Sequence, residues 1–436
     1  MISELKEKLF DRETSFRFRT KKFPNAWTRT RCLTFERVVT LILRGIKFPF
    51  QNNLNRFFKQ LGLMQDFSLP TSSAYSQARC KIHPDLFKEL NEWAVERFYE
   101  LFKEDDLVNT FYGHRLVAGD GSYINLPTNS DTLREFSVVP NNSKKVVRVQ
   151  ALACVFYDPL NDLPLKASLT RIRAEKKFLF QEVRHSLKES DLVLLDRLYA
   201  DYSVMAFFQK HKRFFLIRFS LTSFNAVKEF VKSGKKEEMV SLKVNNKQKR
   251  FVEKEKLPKE IQVRLIRIEL ETGEIEILGT NCFEEEIGNE DWKWLYHKRW
   301  GEETYFDRLK NIFEIERFSG ESTLSIRQDF FGTIFLSTIE SLVTKEAEEE
   351  LEEESKEKEL KYKQQVNHSV SYSGLMDYLV ELLLDQTKDA ESVFEELKKV
   401  FKTNPTRVRP GRRYERKKED PRQKFRYQKY EKKIPT

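Results

Sequence analysis

VVRVQALACVFYDPLNDLPLKASLTRIR, residues 146–173, holds two apolar runs separated by Asp-Pro-Leu-Asn-Asp, and that punctuation predicts a β-hairpin. Upstream, RLVAGDGSYINLP (115–127) reads as a strand ending at Asp120, then Gly121 and a second extended piece. Downstream, residues 175–189 carry the pattern of an amphipathic helix, and DLVLLD (191–196) is an apolar strand closed by Asp196. A helix to about residue 212 and a last strand, RFFLIRFS (213–220), complete the series. Three antiparallel strands followed by helix, strand, helix, strand predict an α/β layer fold. Ligand sites in such sheets gather at the carboxyl ends of strands, where Asp120 and Asp196 fall.

The flanking regions differ in pattern. Residues 1–110 read as short helices, at 34–43, 51–61 and 84–102, with Ser72 or Ser73 capping a further one that carries Tyr75, Gln77, Arg79 and Lys81. Short helices with basic faces fit a DNA-binding domain of helix-turn-helix type, in which Gln77, Arg79 and Lys81 reach base edges. Residues 111–219 form the first part of the α/β core. Residues 220–285, with alternating runs such as QVRLIRIEL and EIEILGTNC, read as a β-rich insertion that does not continue the core. Residues 286–345 return to the core with two long helices. Residues 346–436 comprise an acidic linker or exposed helix, further helices from 371 to 401, and a basic tail that has almost no aliphatic residues and is expected to be disordered.

The formal charge of +10 is concentrated at the two ends. Residues 12–60 hold twelve Lys/Arg against two Glu, and residues 403–436 hold thirteen against four acids. Basic ends on a balanced middle favour a nucleic-acid partner. No apolar run, VVTLIL (38–43) included, approaches the length needed to span a bilayer, and MISELKEKLF does not read as a secretory signal. Four scattered cysteines fit reduced thiols and a cytoplasmic setting. With no CxxC or HxxxH pair, any bound metal is expected to take oxygen ligands, which favours magnesium, with manganese able to substitute.

Carboxylates for such a metal stand at Asp120, Asp196 and Glu303. The last lies in YHKRWGEETYFDRLK (296–310), where Tyr296, Arg299, Glu303 and Lys310 follow at intervals of three, four and seven. On one helix those offsets bring the four side chains within roughly 60° of one another. Leu295, Phe306, Leu309 and Phe313 form an apolar stripe beside them. Glu302 turns into that stripe, where its carboxylate is expected to reach water, Arg299 or Lys298. Three acids can hold two ions that clamp the attacking and leaving oxygens of a phosphoryl transfer.

The row resembles the YREK pattern of bacterial DDE transposases, specifically insertion-sequence family four. GDGS at Asp120, DRLY at Asp196, the β-rich stretch between the second aspartate and the glutamate, and the segments SAYSQARCKI, KQQVNHSVS and RVRPGRRYERKK extend the resemblance over nearly the whole chain. It implies a ribonuclease-H-like catalytic core, with Asp120, Asp196 and Glu303 as catalytic metal ligands. Tyr296, Arg299, Lys310 and Arg197 would lie on DNA near the scissile phosphate, and Arg409, Arg412 and Arg413 would bind it from the tail. It further implies inverted-repeat ends and target DNA as partners, a homodimer in the DNA complex, and a place on the bacterial nucleoid. Some members stack a flipped base on an insertion tryptophan; residues 220–285 have none, and Trp292, Trp294 and Trp300 read as packing residues beside the catalytic helix. The competing readings are another ribonuclease-H-like nuclease and an inactive, transposase-derived DNA-binding protein. The complete acid trio weighs against the latter.

Overall fold

The computed structural model describes residues 2–409, apart from 30, 46–49, 64–68, 105, 141–146, 173–174, 271–272 and 386. The chain opens with helices α1 (Ile2–Phe10), α2 (Arg12–Arg17), α3 (Phe35–Arg44), α4 (Phe50–Gln60), α5 (Ser72–Arg79) and α6 (Asp85–Lys103). Thr71, one residue before the expected caps, closes the start of α5, its side chain accepting from the Ala74 amide at 3.2 Å. Pro84 precedes α6, where its missing N–H costs nothing.

The central sheet begins with β1 (Leu116–Leu126). After a short helix, α7 (Ser130–Glu135), come β2 (Ser137–Pro140), β3 (Val147–Asp158) and β4 (Leu163–Thr170). Helix α8 (Glu175–Gln181), β5 (Leu192–Leu195), α9 (Tyr202–Lys210) and β6 (Phe214–Phe219) follow. β3 lies antiparallel between β1 on one side and β2 and β4 on the other, while β1, β5 and β6 run parallel. The order β4-β3-β1-β5-β6, with only the β-hairpin strand β3 reversed, is the ribonuclease-H-like arrangement.

Several expectations need correction. β1 does not stop at Asp120 but runs on through Leu126, because β3 is long enough to pair with it as far as Val149. The helix expected over 175–189 ends at Gln181 and gives way to a 3-10 turn at Val183–His185. Residues 220–285 do not stand apart. They carry α10 (Asn225–Ser233), β7 (Glu237–Lys243), α11 (Asn246–Lys254), β8 (Glu260–Glu269) and β9 (Ile275–Thr280), and β9 pairs antiparallel with β6. The result is one nine-stranded sheet, since pairing β9 on β6 satisfies an edge of an otherwise apolar strand.

Side chains alternate across the sheet with period two. Val193 and Leu195 face the larger core, shared with the N-terminal helices, whereas Leu192 and Leu194 face a smaller one. The smaller core is closed by α12 (Asn289–Lys298) through Trp292, Leu295 and Tyr296. The helix expected to run unbroken through the four-residue row is in fact two, since α13 (Trp300–Asn311) starts afresh after Arg299. At that junction the Arg299 N–H bonds back three residues to Tyr296 and the Glu302 N–H to Arg299, a tighter turn than α.

The 35-residue α14 (Thr323–Glu357) packs against α6, β4 and α3. The acidic stretch expected as linker or exposed helix is its C-terminal end, with Ala347, Leu351 and Ser355 buried on one side. β10 (Gln364–Gln365), α15 (His368–Leu384), α16 (Ala390–Phe401) and β11 (Thr406–Arg407) complete the described chain, β11 pairing with β10. The basic tail from residue 410 lies outside the described residues, and with it the expectation of disorder.

Gly119 shows how tightly the sheet centre is filled. A Cβ there would come within 2.6 Å of the Phe156 ring and 3.0 Å of a Leu195 methyl. Gly119→Ala is therefore expected to cost about 1–3 kcal/mol of stability, as overpacking does. Urea unfolding of the purified variant measures this; an unchanged midpoint would show that the Phe156 ring yields freely.

Candidate active site

β1 and β5 lie side by side in parallel, and their register ends at Gly119 opposite Leu195. Asp120 and Asp196 are the next residue on each strand, so the two carboxylates stand at the same level of the sheet. Asp120 accepts the Gly121 amide at 2.8 Å, and Asp196 caps the 3-10 turn Arg197–Tyr199 by accepting the Leu198 amide at 2.8 Å. Helix α13 crosses β1 and brings the later residues to this spot. Arg299, only 7% exposed, places Nη1 3.6 Å from Asp120 and Nη2 3.2 Å from Glu303. Lys310 donates to Ser122 Oγ at 2.7 Å, two residues along the same face of β1.

The electrostatics follow from this crowding. Burial raises the Asp120 carboxyl above its usual range; the Gly121 amide and Arg299 oppose the rise, while Asp196 and Glu303 add to it. Burial lowers the Arg299 guanidinium, but Tyr296, Asp120 and Glu303 outweigh it and hold the group charged. Three carboxylates crowded together, with oxygen-only donors and one arginine between them, suit a hard divalent cation that would relieve their repulsion.

Other expected contacts fall differently. Tyr296 is not a free phosphate contact: it is 6% exposed, belongs to the smaller core, and its phenol is pushed up to about 12, mainly by burial. The Arg299 guanidinium carbon lies 5.6 Å from the Tyr296 ring and 5.6 Å from the Trp300 ring. Arg79, expected to read bases, is buried instead. Its guanidinium donates to Gln328, Ser319 and Asp329 at 3.0, 2.7 and 2.8 Å, fastening α5 to the start of α14. Buried, and with four of its five donors engaged inside the protein, this arginine is not presented to base edges. Gln77, Arg197 and Arg409 are exposed and Lys81 partly so; Arg412 and Arg413 lie outside the described residues.

Trp292 is buried as expected, but Trp294 and Trp300 are 43% and 42% exposed. They line a cavity of about 420 Å³ between β8, β9 and α12. Glu302 departs further from expectation. It enters the apolar stripe, is wholly buried, and neither carboxylate oxygen has a hydrogen-bond partner in acceptable geometry. Burial pushes its pKa well up, Asp120 and Glu303 push the same way, and the Asp120 amide and Arg299 oppose them. The adjacent glutamates were the only sequence signal for this.

A ribonuclease-H-like sheet with acids just past the paired stretch of two adjacent parallel strands, faced by Arg299 at the head of α13 and by Glu303 and Lys310 on it, defines a metal-dependent nucleic-acid phosphoryl-transfer enzyme. Residues 112–339, just over half of the chain, match the transposase DDE domain family, and the chain belongs to that family. It is a transposase that cleaves DNA with divalent metal. Among solved structures it is similar to a piggyBac transposase synaptic complex with hairpin DNA, at 10% identity and a TM-score of 0.45, over 96% of this chain and 88% of that one. No curated protein matches it. Among the described residues, no helix is long and apolar enough to cross a membrane.

Proposed function

We propose that this chain mobilises an insertion sequence of the YREK type, cutting its inverted-repeat ends and joining them to target DNA. The convergence of Arg299, Glu303 and Lys310 on the Asp120–Ser122 face of β1 carries this reading. Asp120, Asp196 and Glu303 would hold magnesium, with manganese able to substitute. When bound, the metal would activate the attacking water or 3′-hydroxyl and stabilise the leaving oxygen.

The chain's own residues hold and orient the DNA. Arg299 would turn its fork of donors from Asp120 and Glu303 to two phosphate oxygens, and its position is fixed by the Tyr296 and Trp300 rings. Lys310 exchanges Ser122 for a phosphate as a point charge. Tyr296 acts through Arg299 rather than on phosphate. Gln77 and Lys81 on and just after α5 face DNA, as do Arg197 and Arg409. Two ends handled together call for two copies of a site that each chain carries once, hence a homodimer on DNA.

A plasmid carrying the gene with its flanking DNA tests this. Purified protein and magnesium are expected to release a linear fragment whose termini fall at short inverted repeats. Cleavage at random positions, or only of RNA–DNA hybrids, would favour a different nuclease.

Ending the chain at Arg409 removes the basic tail and leaves β11 in place. Its loss is expected to weaken binding to end DNA and random DNA alike and to flatten the salt dependence, because phosphate-directed cations release counterions without reading bases. Filter binding at several salt concentrations measures it; a selective loss on end DNA would make the tail a sequence reader.

A further inference from the structure

The segment KQQVNHSVS (363–371) takes no part in the chemistry above, and its half-buried histidine belongs to a partly buried cluster behind α13. Arg308, on the face of α13 turned from Lys310, is 7% exposed. It donates to both oxygens of Asp162, at 2.5 Å from Nη1 and 2.6 Å from Nη2. Asp162 closes the DPLND turn between β3 and β4, and it also receives the Tyr157 hydroxyl. The Arg308 Nη1 lies 3.1 and 3.0 Å from the two ring nitrogens of His368, the first residue of α15. His368 Nδ1 also lies 3.0 Å from Oε1 of Glu340, a fully buried carboxylate of α14 that also receives the Ser371 hydroxyl. The second Glu340 oxygen has no hydrogen-bond partner. Through Arg308 and His368 together, the β3–β4 turn, α14 and α15 are thus tied to the helix that carries Glu303 and Lys310.

Asp162, Glu340 and His368 present ligand atoms within 4.8 Å of one another, as a metal site would. The Arg308 guanidinium occupies the space between Asp162 and His368, so the cation of this cluster is already covalently part of the chain. With His368 protonated, two cations meet two carboxylates and the buried charges cancel.

We propose that His368 is a positioning residue for DNA cleavage, closing a charge-balanced clamp with Arg308, Asp162 and Glu340 that fixes α13 and its catalytic side chain over β1. The proposal rests on the reading of Glu303 as catalytic. Burial alone would lower the His368 pKa; hydrogen bonding to Glu340 and the charges of Glu340 and Asp162 outweigh it, against Arg308, and the net direction is upward. Other titratable groups facing the cluster are Tyr157 from β3, Tyr305 from α13 and Glu348 from α14, with Lys345 beside Glu348. A histidine whose folded pKa is raised contributes stability that is fully present below its ordinary value of 6.5 and is lost as pH rises through the folded value. The clamp therefore tightens on the acid side.

The test compares His368→Gln, Glu340→Gln and the double variant as full-length proteins with wild type, by magnesium-dependent cleavage of end DNA across pH. At about pH 6 the His368→Gln rate is expected to fall about ten- to a hundredfold with DNA affinity unchanged, a misplacement effect. The ratio to wild type should climb toward one as wild-type His368 loses its proton. Adding Glu340→Gln removes the carboxylate left unpaired and should restore most of the rate at about pH 6. A pH-independent ratio, or a double variant no better than the single, overturns the proposal. If His368→Gln does not fold, the double variant still decides: folding and cleaving at near wild-type rate at about pH 6 supports charge balance, and failing to do so refutes it. Glu303→Ala is run alongside. If that variant cleaves normally, the underlying assignment has failed; if it is dead while the His368 variants behave as wild type, only the clamp has.

Discussion

Asp120→Ala, Asp196→Ala and Glu303→Ala are each expected to abolish metal-dependent cleavage of end DNA while leaving affinity for that DNA largely intact. The three carboxylates are acceptors only and would repel phosphate, so they can help DNA binding only through a cation. Removing one takes away an oxygen ligand and, with it, the charge stabilisation of an in-line displacement. A loss of at least about a thousandfold, near 4 kcal/mol of barrier, is the expected scale. Affinity is expected to hold because Arg299 and Lys310 remain; in Glu303→Ala, Arg299 keeps Asp120 at 3.6 Å as a second anchor. Gel-shift binding and single-turnover cleavage on the same protein preparations separate the two quantities. A variant that cleaves within tenfold of wild type would remove that residue from the site, whereas parallel loss of binding would mean that the carboxylate holds the DNA-binding surface together.

Much of this arrangement is legible in the chain. The strand pattern at 115–220 is strong because each run is either alternating or wholly apolar and is closed by Asp, Gly or Pro. It predicts the order of the elements and an α/β layer fold, but that β1 and β5 pair in parallel and set Asp120 beside Asp196 is visible only in the folded sheet. The interval Tyr296, Arg299, Glu303, Lys310 survives the break at Arg299 because the junction residue keeps helical angles, φ −54° and ψ −34°, so the wheel turns on with little offset. What was not legible depends on partners far away in sequence. Nothing near Arg79 announces Asp329 and Gln328, some 250 residues on, so a cation on a short helix was read as a surface group. Likewise β9 reveals its partner only when β6 offers an edge. Tyr296 and Arg299 stand three residues apart in the same row, yet only packing in the smaller core shows that the tyrosine is turned inward.

Glu302 poses the sharpest contrast, since it differs from Glu303 by a single step of about 100° around the helix. That step carries its carboxylate from the polar row into the stripe with Tyr305, Phe306 and Leu309, where it is wholly buried. Arg299 is the nearest cation in sequence, but its two amino groups are engaged with Asp120 and Glu303. Burial therefore disfavours the charged form of this carboxyl, and keeping the group there costs folding free energy that an apolar side chain of similar volume would not. Glu302→Leu is expected to stabilise the protein by about 1–3 kcal/mol, the range for an unsatisfied buried polar group. Glu302→Ala leaves a cavity that offsets this gain, and its catalysis is expected to stay within about an order of magnitude, near 1.4 kcal/mol of barrier. Glu303→Ala, one position on, should lose cleavage almost wholly. Thermal unfolding and cleavage of paired end DNA, measured on all three variants, decide the matter. A Glu302→Leu protein that is more stable yet inactive would show that this buried carboxyl takes part in the chemistry beside Asp120; an active Glu303→Ala together with an inactive Glu302→Ala would reverse the two assignments.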